Sequence, residues 1–338
     1  MELSRVQLPI TSTPITVYQY QAYILAVLLN YPECLPWFYS NYIQLEYLKD
    51  RDRILLDFTG GWFNDVPWIS FHYFEKEDFI KNNQGSHQAI KRFLDEGWYL
   101  YSTFDEFYVP SRGMYHKKHS LYDFLLFGYD DGEQDYSILG YGNRGIFEAA
   151  PVSYSDFIKA FESALDEGMI FFFRKREDFS NDFDQKYLQD MLSDYFYGRD
   201  TSARLKFFQR GAIKDKVFGL NTYQCLIEYY QSMFDKHGMN DIKSSHRFLH
   251  ALWEHKKCML LRLEYLNQRW ILKNKAAYFS GSYRKLENDA LILRNTMLKF
   301  SLREDRRLLE IIINLLQEMW RLETKIVEEL IQVLSFEF

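Results

Sequence analysis

Side chains suited to acid–base chemistry are concentrated in the segment HKKHSLYDFLLFGYDD, residues 116–131. His119 stands just before a short apolar run, and Tyr122 opens that run. An imidazole acts as a general base near neutral pH, whereas a tyrosine hydroxyl donates a hydrogen bond or acts as a general acid. Gln19, in the segment VYQYQ, would add an amide donor for a developing oxyanion. These three residues predict a site for proton transfer with a donor for an oxyanion.

The same residues also fit structural roles. The basic turn that contains His116 and His119 is typical of a solvent-exposed loop. Gln19 is typical of the polar residues at the start of a helix. The sequence leaves the catalytic and the structural interpretations open.

A second group of candidate ligands lies in the C-terminal half of the chain. His246, His250 and Glu254 are spaced four residues apart in HRFLHALWEHKK, which places all three on one face of a helix. Zinc accepts two imidazoles and a carboxylate, so these residues are candidate metal ligands. The segment lacks the HExxH pattern of zinc proteases, and an ordinary polar helix face has the same spacing. We therefore expect no metal site in this protein. If a metal is bound, His246, His250 and Glu254 are its candidate ligands.

The composition excludes several classes of protein. The chain has 338 residues and a hydrophobic fraction of 47%, enough to bury a core, so disorder over most of its length is excluded. The net charge of −6 argues against nucleic-acid binding, which usually needs a basic surface. No glycine-rich motif fits a phosphate or dinucleotide site, so no cofactor is expected. The N-terminal residues lack the pattern of a signal peptide, and no apolar stretch of about 18 residues is present. We expect a cytoplasmic protein that does not span a membrane.

The N-terminal half has the pattern of a mixed α+β domain. Residues 20–30 are apolar nearly all round and predict a buried helix. Short runs of aromatic and branched residues, bounded by Gly, Asp or Pro, predict strands. These runs are 52–58, 66–74, 98–104, 124–127, 135–141 and 169–176. Helical patterns occupy residues 76–95 and 153–168, the second with a serine at its N-cap and Gly168 at its end.

The C-terminal half has a different pattern. After residue 176, apolar residues recur at three-four spacing, which is typical of helices. Gly281 marks an expected break before the last two long helices, which we expect to pair in antiparallel fashion. The sequence therefore predicts two domains, an α+β domain over residues 1–176 and a helical domain over residues 177–338.

Three stretches of the N-terminal half resemble one known family. VYQYQAYILAVLLNYPECLPWFYSNYIQL (17–45) is similar to a nucleophile helix and the loop after it. YHKKHSLYDFLLFGYDD (115–131) is similar to a histidine strand, and YSILGYGNRGIFEAAPVSYSDFIKAF (136–161) to the next strand and its helix. Together they resemble the N-terminal domain of the butirosin biosynthesis protein H family, a papain-like branch found in bacterial natural-product gene clusters. The resemblance covers roughly residues 10–165.

The resemblance implies a fold, a reaction and a partner. The fold would be papain-like, with a buried helix packed on an antiparallel sheet. The reaction would move an amino-acyl group from a carrier-protein thioester to an amine. The partner would be an acyl or peptidyl carrier protein with a phosphopantetheine arm.

The residues that such an enzyme needs are not in their expected places. The chemistry requires a cysteine thiolate, a histidine and a polar group that orients the histidine. Residues 17–21 hold no cysteine where the family has its nucleophile, and Tyr122 stands at the histidine position. Residues 139–141, where the orienting group would fall, hold no carboxylate or amide. The usual triad is therefore not evident, and we expect a degenerate member of the family.

Three functions follow as alternatives. A pseudoenzyme of natural-product biosynthesis, of peptide or aminoglycoside type, would bind a carrier-bound thioester or support another enzyme. A rewired transferase would use Tyr122, His119 and Gln19 to position an amine for aminolysis, which needs orientation more than a nucleophile. A non-catalytic scaffold would use the C-terminal helices as its interaction surface. A polar and aromatic cleft in the N-terminal domain favours the first two, and a filled core favours the third.

Overall fold

The computed structural model describes residues 4–50, 53–60, 63–83, 85–164, 168–204, 216–235 and 242–335. The chain forms two compact units, each built from two stretches of sequence. The first unit comprises Met1–Pro32 and Trp62–Ser180, and the second comprises Glu33–Gly61 and Asn181–Phe338. Residues 33–61 thus group with the C-terminal half, whereas the sequence predicts one boundary at residue 176.

The mixed α+β character predicted from the sequence is confirmed. In chain order the strands are β1 (Arg5–Gln7), β2 (Leu45–Asp50), β3 (Arg53–Phe58), β4 (Ile69–Glu75), β5 (Tyr99–Asp105), β6 (Leu121–Asp130), β7 (Asp135–Tyr141), β8 (Phe147–Ser153), β9 (Met169–Lys175) and β10 (Lys216–Phe218). The helices are α1 (Gln19–Leu28), α2 (Leu35–Ser40), α3 (Lys76–Asn82), α4 (His87–Asp95), α5 (Tyr154–Ser163), α6 (Gln185–Tyr197), α7 (Thr222–Asp235), α8 (Ile242–Gln268), α9 (Ala276–Arg303) and α10 (Arg306–Leu334).

The first unit is organised around an antiparallel sheet. Over the described residues this sheet has seven strands in the order β4-β9-β5-β6-β7-β8, with β1 paired to β6 as well. Strand β5 pairs with the first half of β6, from Leu121 to Leu126, and β1 pairs with the second half, from Gly128 to Asp130. A Cβ atom on Gly128 would lie 2.5 Å from the carbonyl oxygen of Val6, so only glycine lets β1 approach this closely.

The two faces of this sheet are covered by different helices. Because side chains alternate along a strand, Phe104 and Phe124 share one face, where they pack with Phe157 of α5 and with residues of α4. The opposite face holds Tyr101, whose ring lies 5.8 Å from that of Tyr23 in α1. Every residue of α1 from 22 to 28 is fully buried, as its apolar sequence predicts. Burial of each large apolar side chain contributes about 1.5–3 kcal/mol, which fixes the sheet between the helices.

The second unit combines the C-terminal helices with a small sheet. Strand β2 pairs with both β3 and β10, so residues 46–48 are bonded to a strand from the C-terminal half. This pairing explains why residues 33–61 belong to the second unit, whereas the sequence predicts a single domain boundary at residue 176. Helix α9 runs through Gly281 without a break, so the break expected there was wrong. Within the described ranges, none of the helices is long and apolar enough to cross a membrane.

A buried ion pair lies among the helices of the second unit. Lys256 of α8 donates to both carboxylate oxygens of Glu323 in α10, at 2.7 and 2.6 Å, and both side chains are fully buried. Tyr223 and Tyr283 also donate to Glu323, at 2.8 and 3.2 Å. Burial lowers the pKa of Lys256, and the negative charge of Glu323 opposes that shift. Four hydrogen bonds to one carboxylate therefore compensate for its removal from water.

We expect the Glu323→Gln variant to unfold more easily than the wild type by about 3–5 kcal/mol, because it leaves the Lys256 ammonium buried without a counter-charge. Urea denaturation followed by circular dichroism would measure the change. Glu328→Gln, at an exposed position of the same helix, is the matched control and should change stability little. Equal effects of the two substitutions would contradict the importance of the buried pair.

Candidate functional site

A pocket of about 370 Å³ opens in the first unit where β5 ends and β6 begins. The residues that line it are Asp105, His119, Ser120, Leu121 and Ser163. Asp105 is the last residue of β5, residues 119–121 lead into β6, and Ser163 ends α5. The pocket therefore collects side chains from three elements that the sequence separates by up to 58 residues. Its volume falls within the range of about 300–1,000 Å³ that is usual for small-molecule sites.

The chemically important contact in this pocket joins His119 to Asp105. Nδ1 of His119 lies 2.5 Å from Oδ2 of Asp105. Because an ionised carboxylate only accepts hydrogen bonds, Nδ1 carries the proton in this pair. The side chain of Asp105 is 7% exposed, whereas that of His119 is 65% exposed. The carboxylate is thus buried behind an imidazole that faces solvent.

Backbone groups hold the Asp105 carboxylate in place. Its Oδ1 accepts the amide hydrogens of Phe107 and Ser120, each at 3.1 Å. Burial acts to raise the pKa of Asp105, but hydrogen bonds from His119 and from these two amides outweigh burial and lower the pKa from its ordinary value. The ring of Phe107 also stacks on that of His119, with centroids 4.3 Å apart. The imidazole is therefore oriented by a hydrogen bond and by a ring contact.

This arrangement has the geometry of a general base with an orienting acid. A carboxylate on Nδ1 fixes the imidazole tautomer and leaves Nε2 to accept a proton. Nε2 of His119 has no hydrogen-bond partner in the part of the chain that the structure describes. The pair can therefore take a proton from a nucleophile bound in the pocket.

Arg112 fixes the loop between Asp105 and His119. Its guanidinium lies 5.1 Å from the centroid of the Phe104 ring, and its Nη1 donates to the carbonyl oxygen of Tyr141. The residue is 2% exposed, and Nε and Nη2 find no acceptor among the described residues. A Cβ atom on Gly140, where φ is +155°, would lie 2.5 Å from Nη2. Glycine at this position is what lets the guanidinium pack against β7.

The structure separates the three residues predicted to act together. Gln19 is buried, and its Oε1 accepts hydrogen bonds from the Tyr23 hydroxyl at 3.0 Å and the Tyr141 amide at 3.1 Å. Its carbonyl oxygen therefore has a structural role in joining α1 to β7. Tyr122 is half-buried opposite Phe104, and it does not line the pocket that contains His119.

Buried charges lie beside the pocket rather than in it. Burial raises the pKa of Glu106, although the positive charge of Arg112 acts in the opposite direction. Burial also raises the pKa of Asp123, and a hydrogen bond from Tyr101 opposes that shift. The main-chain oxygen of Asp123 accepts a hydrogen bond from the Tyr23 hydroxyl of α1 at 3.1 Å. These carboxylates belong to the interior around Arg112.

The candidate metal ligands form only a pair. Nε2 of His250 lies 3.1 Å from Oε1 of Glu254, one turn further along α8. In the described ranges, no group of three or more His, Cys, Asp or Glu side chains could hold a metal ion, so His246 does not complete a site. The four-residue spacing reflects a helix face on which a histidine and a carboxylate meet.

Sequence reasoning missed Asp105 and Ser163. The orienting group was expected near residues 139–141, in the strand after β6, whereas Asp105 ends the strand before it. The segment FDEFYVP, residues 104–110, contains the available signal, a carboxylate directly before a turn. Ser163 has no local signal, because its position beside the histidine depends on how α5 packs.

No protein-family model and no curated protein sequence matches the chain. The resemblance to the butirosin biosynthesis protein H family therefore stays a prediction. Function has to be inferred from the geometry of the pocket.

We expect the Asp105→Asn variant to lose about 1–3 kcal/mol of stability at pH 7, because a buried charge-assisted acceptor is removed. The folded-state pKa of Asp105 is depressed, so its contribution is fully present above the unfolded pKa of about 3.9 and is lost as pH falls through the folded pKa. The difference between variant and wild type should therefore shrink below about pH 4.

Urea denaturation at a series of pH values would measure this difference. Asp78→Asn, at an exposed position of α3, is the control, and it should show little effect at any pH. A stability loss for Asp105→Asn that stays constant down to the lowest pH would show that the ionised carboxylate is not its source.

Proposed function

We propose that the first unit is a papain-like acyltransferase domain that transfers an acyl group from a carrier-bound thioester to an amine. The observation that carries this proposal is the contact of 2.5 Å between His119 Nδ1 and Asp105 Oδ2, with the imidazole exposed in a pocket. Of the three alternatives from the sequence, this geometry favours the rewired transferase. A pseudoenzyme would have no need of an oriented general base.

The proposed reaction makes limited demands on the protein. A thioester is already activated, so an amine nitrogen can attack its carbonyl carbon once the two are held together. Nε2 of His119 takes the proton that the amine loses, and the thiolate leaves with the pantetheine arm. The imidazolium then returns a proton to the departing sulfur. Asp105 keeps the imidazole in the required tautomer and stabilises its charged form.

Several features support a papain-like fold for this unit. A buried helix, α1, covers one face of an antiparallel sheet, as it does in the family that the sequence resembles. The histidine and its carboxylate stand at neighbouring ends of paired strands, since Asp105 opposes Leu121. The base would differ from the family pattern in its position, three residues before Tyr122 in the loop that leads into β6.

The proposed partner is an acyl or peptidyl carrier protein with a phosphopantetheine arm, in the cytoplasm of a bacterium that makes a peptide or aminoglycoside natural product. A carrier protein of acidic surface would find exposed lysines, Lys117 and Lys118, directly beside the pocket. The pocket volume suits the end of a pantetheine arm together with a small acyl group.

We expect the His119→Ala variant to lose acyl transfer by roughly 100- to 10,000-fold, because a positioned general base contributes about that much. The assay follows amide product by mass spectrometry after incubation with acyl-loaded carrier proteins and candidate amines. His116→Ala is the matched control, since His116 is an exposed histidine of the same turn and lies outside the pocket. Tyr122→Phe and Gln19→Ala test the other predicted residues and should reduce transfer much less.

Other outcomes point to other functions. Carrier binding without product in the wild type would contradict catalysis and leave the accessory role. The absence of both carrier binding and product would favour the scaffold function. That function is supported by the exposed apolar side chains of the last two helices, among them Leu302 at 85% exposure and Ile292 at 51%. Equal activity of wild type and His119→Ala would remove His119 from the mechanism.

A further inference from the structure

We infer that Ser163 is a nucleophile that accepts the acyl group before an amine receives it; this rests on the proposed function. Ser163 lines the same pocket as His119 and Asp105, so the pocket contains the three residue types of a Ser-His-Asp triad. The serine comes from α5, the histidine from the loop that leads into β6, and the aspartate from the end of β5. Because Ser163 lies on a different element from His119, a substrate carbonyl bound in the pocket can lie next to both side chains.

The orientation of the imidazole fits this role. In such a triad the carboxylate binds Nδ1 and the hydroxyl faces Nε2. Here Asp105 occupies Nδ1, and Nε2 has no other partner in the described ranges. The Ser163 hydroxyl donates to the carbonyl oxygen of Ala160, one turn earlier in its own helix, at 3.2 Å. A change to another staggered rotamer would free this hydroxyl from the Ala160 carbonyl, and catalytic contacts often tighten only when substrate binds.

A buried lysine forms hydrogen bonds to both of the elements that carry the serine and the aspartate. Lys76 is 1% exposed, and its Nζ donates to the carbonyl oxygens of Thr103 at 2.7 Å and Ala164 at 3.1 Å. Thr103 lies two residues before Asp105 in β5, and Ala164 directly follows Ser163. Lys76 is thus a positioning residue that fixes the end of α5 against the end of β5.

The pocket contains a second serine, Ser120, which is less suited to attack. Its amide donates to Oδ1 of Asp105, so its backbone is part of the support for the carboxylate. Attack by Ser120 is therefore the alternative that the location of the adduct tests.

The reaction then has two balanced steps. In the first, the Ser163 oxygen bonds to the thioester carbonyl carbon, the carbon–sulfur bond breaks, and the hydroxyl proton passes through His119 to the departing thiolate. In the second, an amine nitrogen bonds to the same carbon, the ester bond to Ser163 breaks, and His119 carries the amine proton back to the serine oxygen. The net products are an amide and a free thiol, with the enzyme unchanged.

The test uses the full chain and acetyl-pantetheine as the thioester probe, without amine. Intact-protein mass spectrometry should show one acetyl group on the wild type, and peptide fragmentation should locate it on Ser163. Ser163→Ala should abolish the adduct and lower transfer to amines by at least about 100-fold, since the acyl-enzyme route is lost. Ser155→Ala, at an exposed serine of the same helix outside the pocket, is the matched control and should retain the adduct, and Ser163→Cys should form one as a thioester.

The possible failures are distinguishable. Transfer that depends on His119 but is retained in Ser163→Ala, with no adduct on the wild type, would overturn the inference and leave direct aminolysis in place. An adduct that maps to Ser120 or to a lysine would also overturn it. No transfer and no adduct in the wild type would overturn both the inference and the proposed function.

Discussion

The geometry of the first unit's pocket depends on the hydrogen bonds of one buried carboxylate. Asp105 accepts from the His119 ring, from the Phe107 amide and from the Ser120 amide. These three donors come from the turn after β5 and from the residues that enter β6. A carboxylate removed from water has to find such donors, because an unpaired buried charge is costly. The requirement to satisfy Asp105 therefore brings the histidine to the end of the sheet and holds it there.

The same constraint recurs at the other buried charges of the molecule. Arg112 directs its guanidinium to a β7 carbonyl, and Lys76 directs its ammonium to two carbonyls at the ends of β5 and α5. In the second unit, Lys256 and Glu323 satisfy each other with the help of tyrosine hydroxyls. Each of these groups links elements that are distant in sequence. Because a buried polar group without a partner is costly, each of these hydrogen bonds favours the arrangement in which the linked elements meet.

Under the proposed function, the general base of this protein has a different position from that in the family it resembles. A papain-like domain would have its histidine where Tyr122 stands, in the strand itself, but the imidazole of this protein is in the preceding loop. Loops tolerate such changes, because their residues are not constrained by the alternation of a sheet. Such a difference of three residues would require an orienting carboxylate in a new place, and Asp105 at the end of the paired strand β5 is suited to that role.

The sequence by itself determined the local elements. The apolar run of α1, the aromatic and branched residues of β7, the serine cap of α5 and the three-four spacing of the C-terminal helices each predict an element that is present. Only the tertiary structure decided which residues meet. Asp105 and His119 are 14 residues apart, and residues 46–48 pair with β10 about 170 positions later. Periodicity reports which face of an element is buried, whereas the partner of that face depends on packing and on where buried charges find their hydrogen bonds.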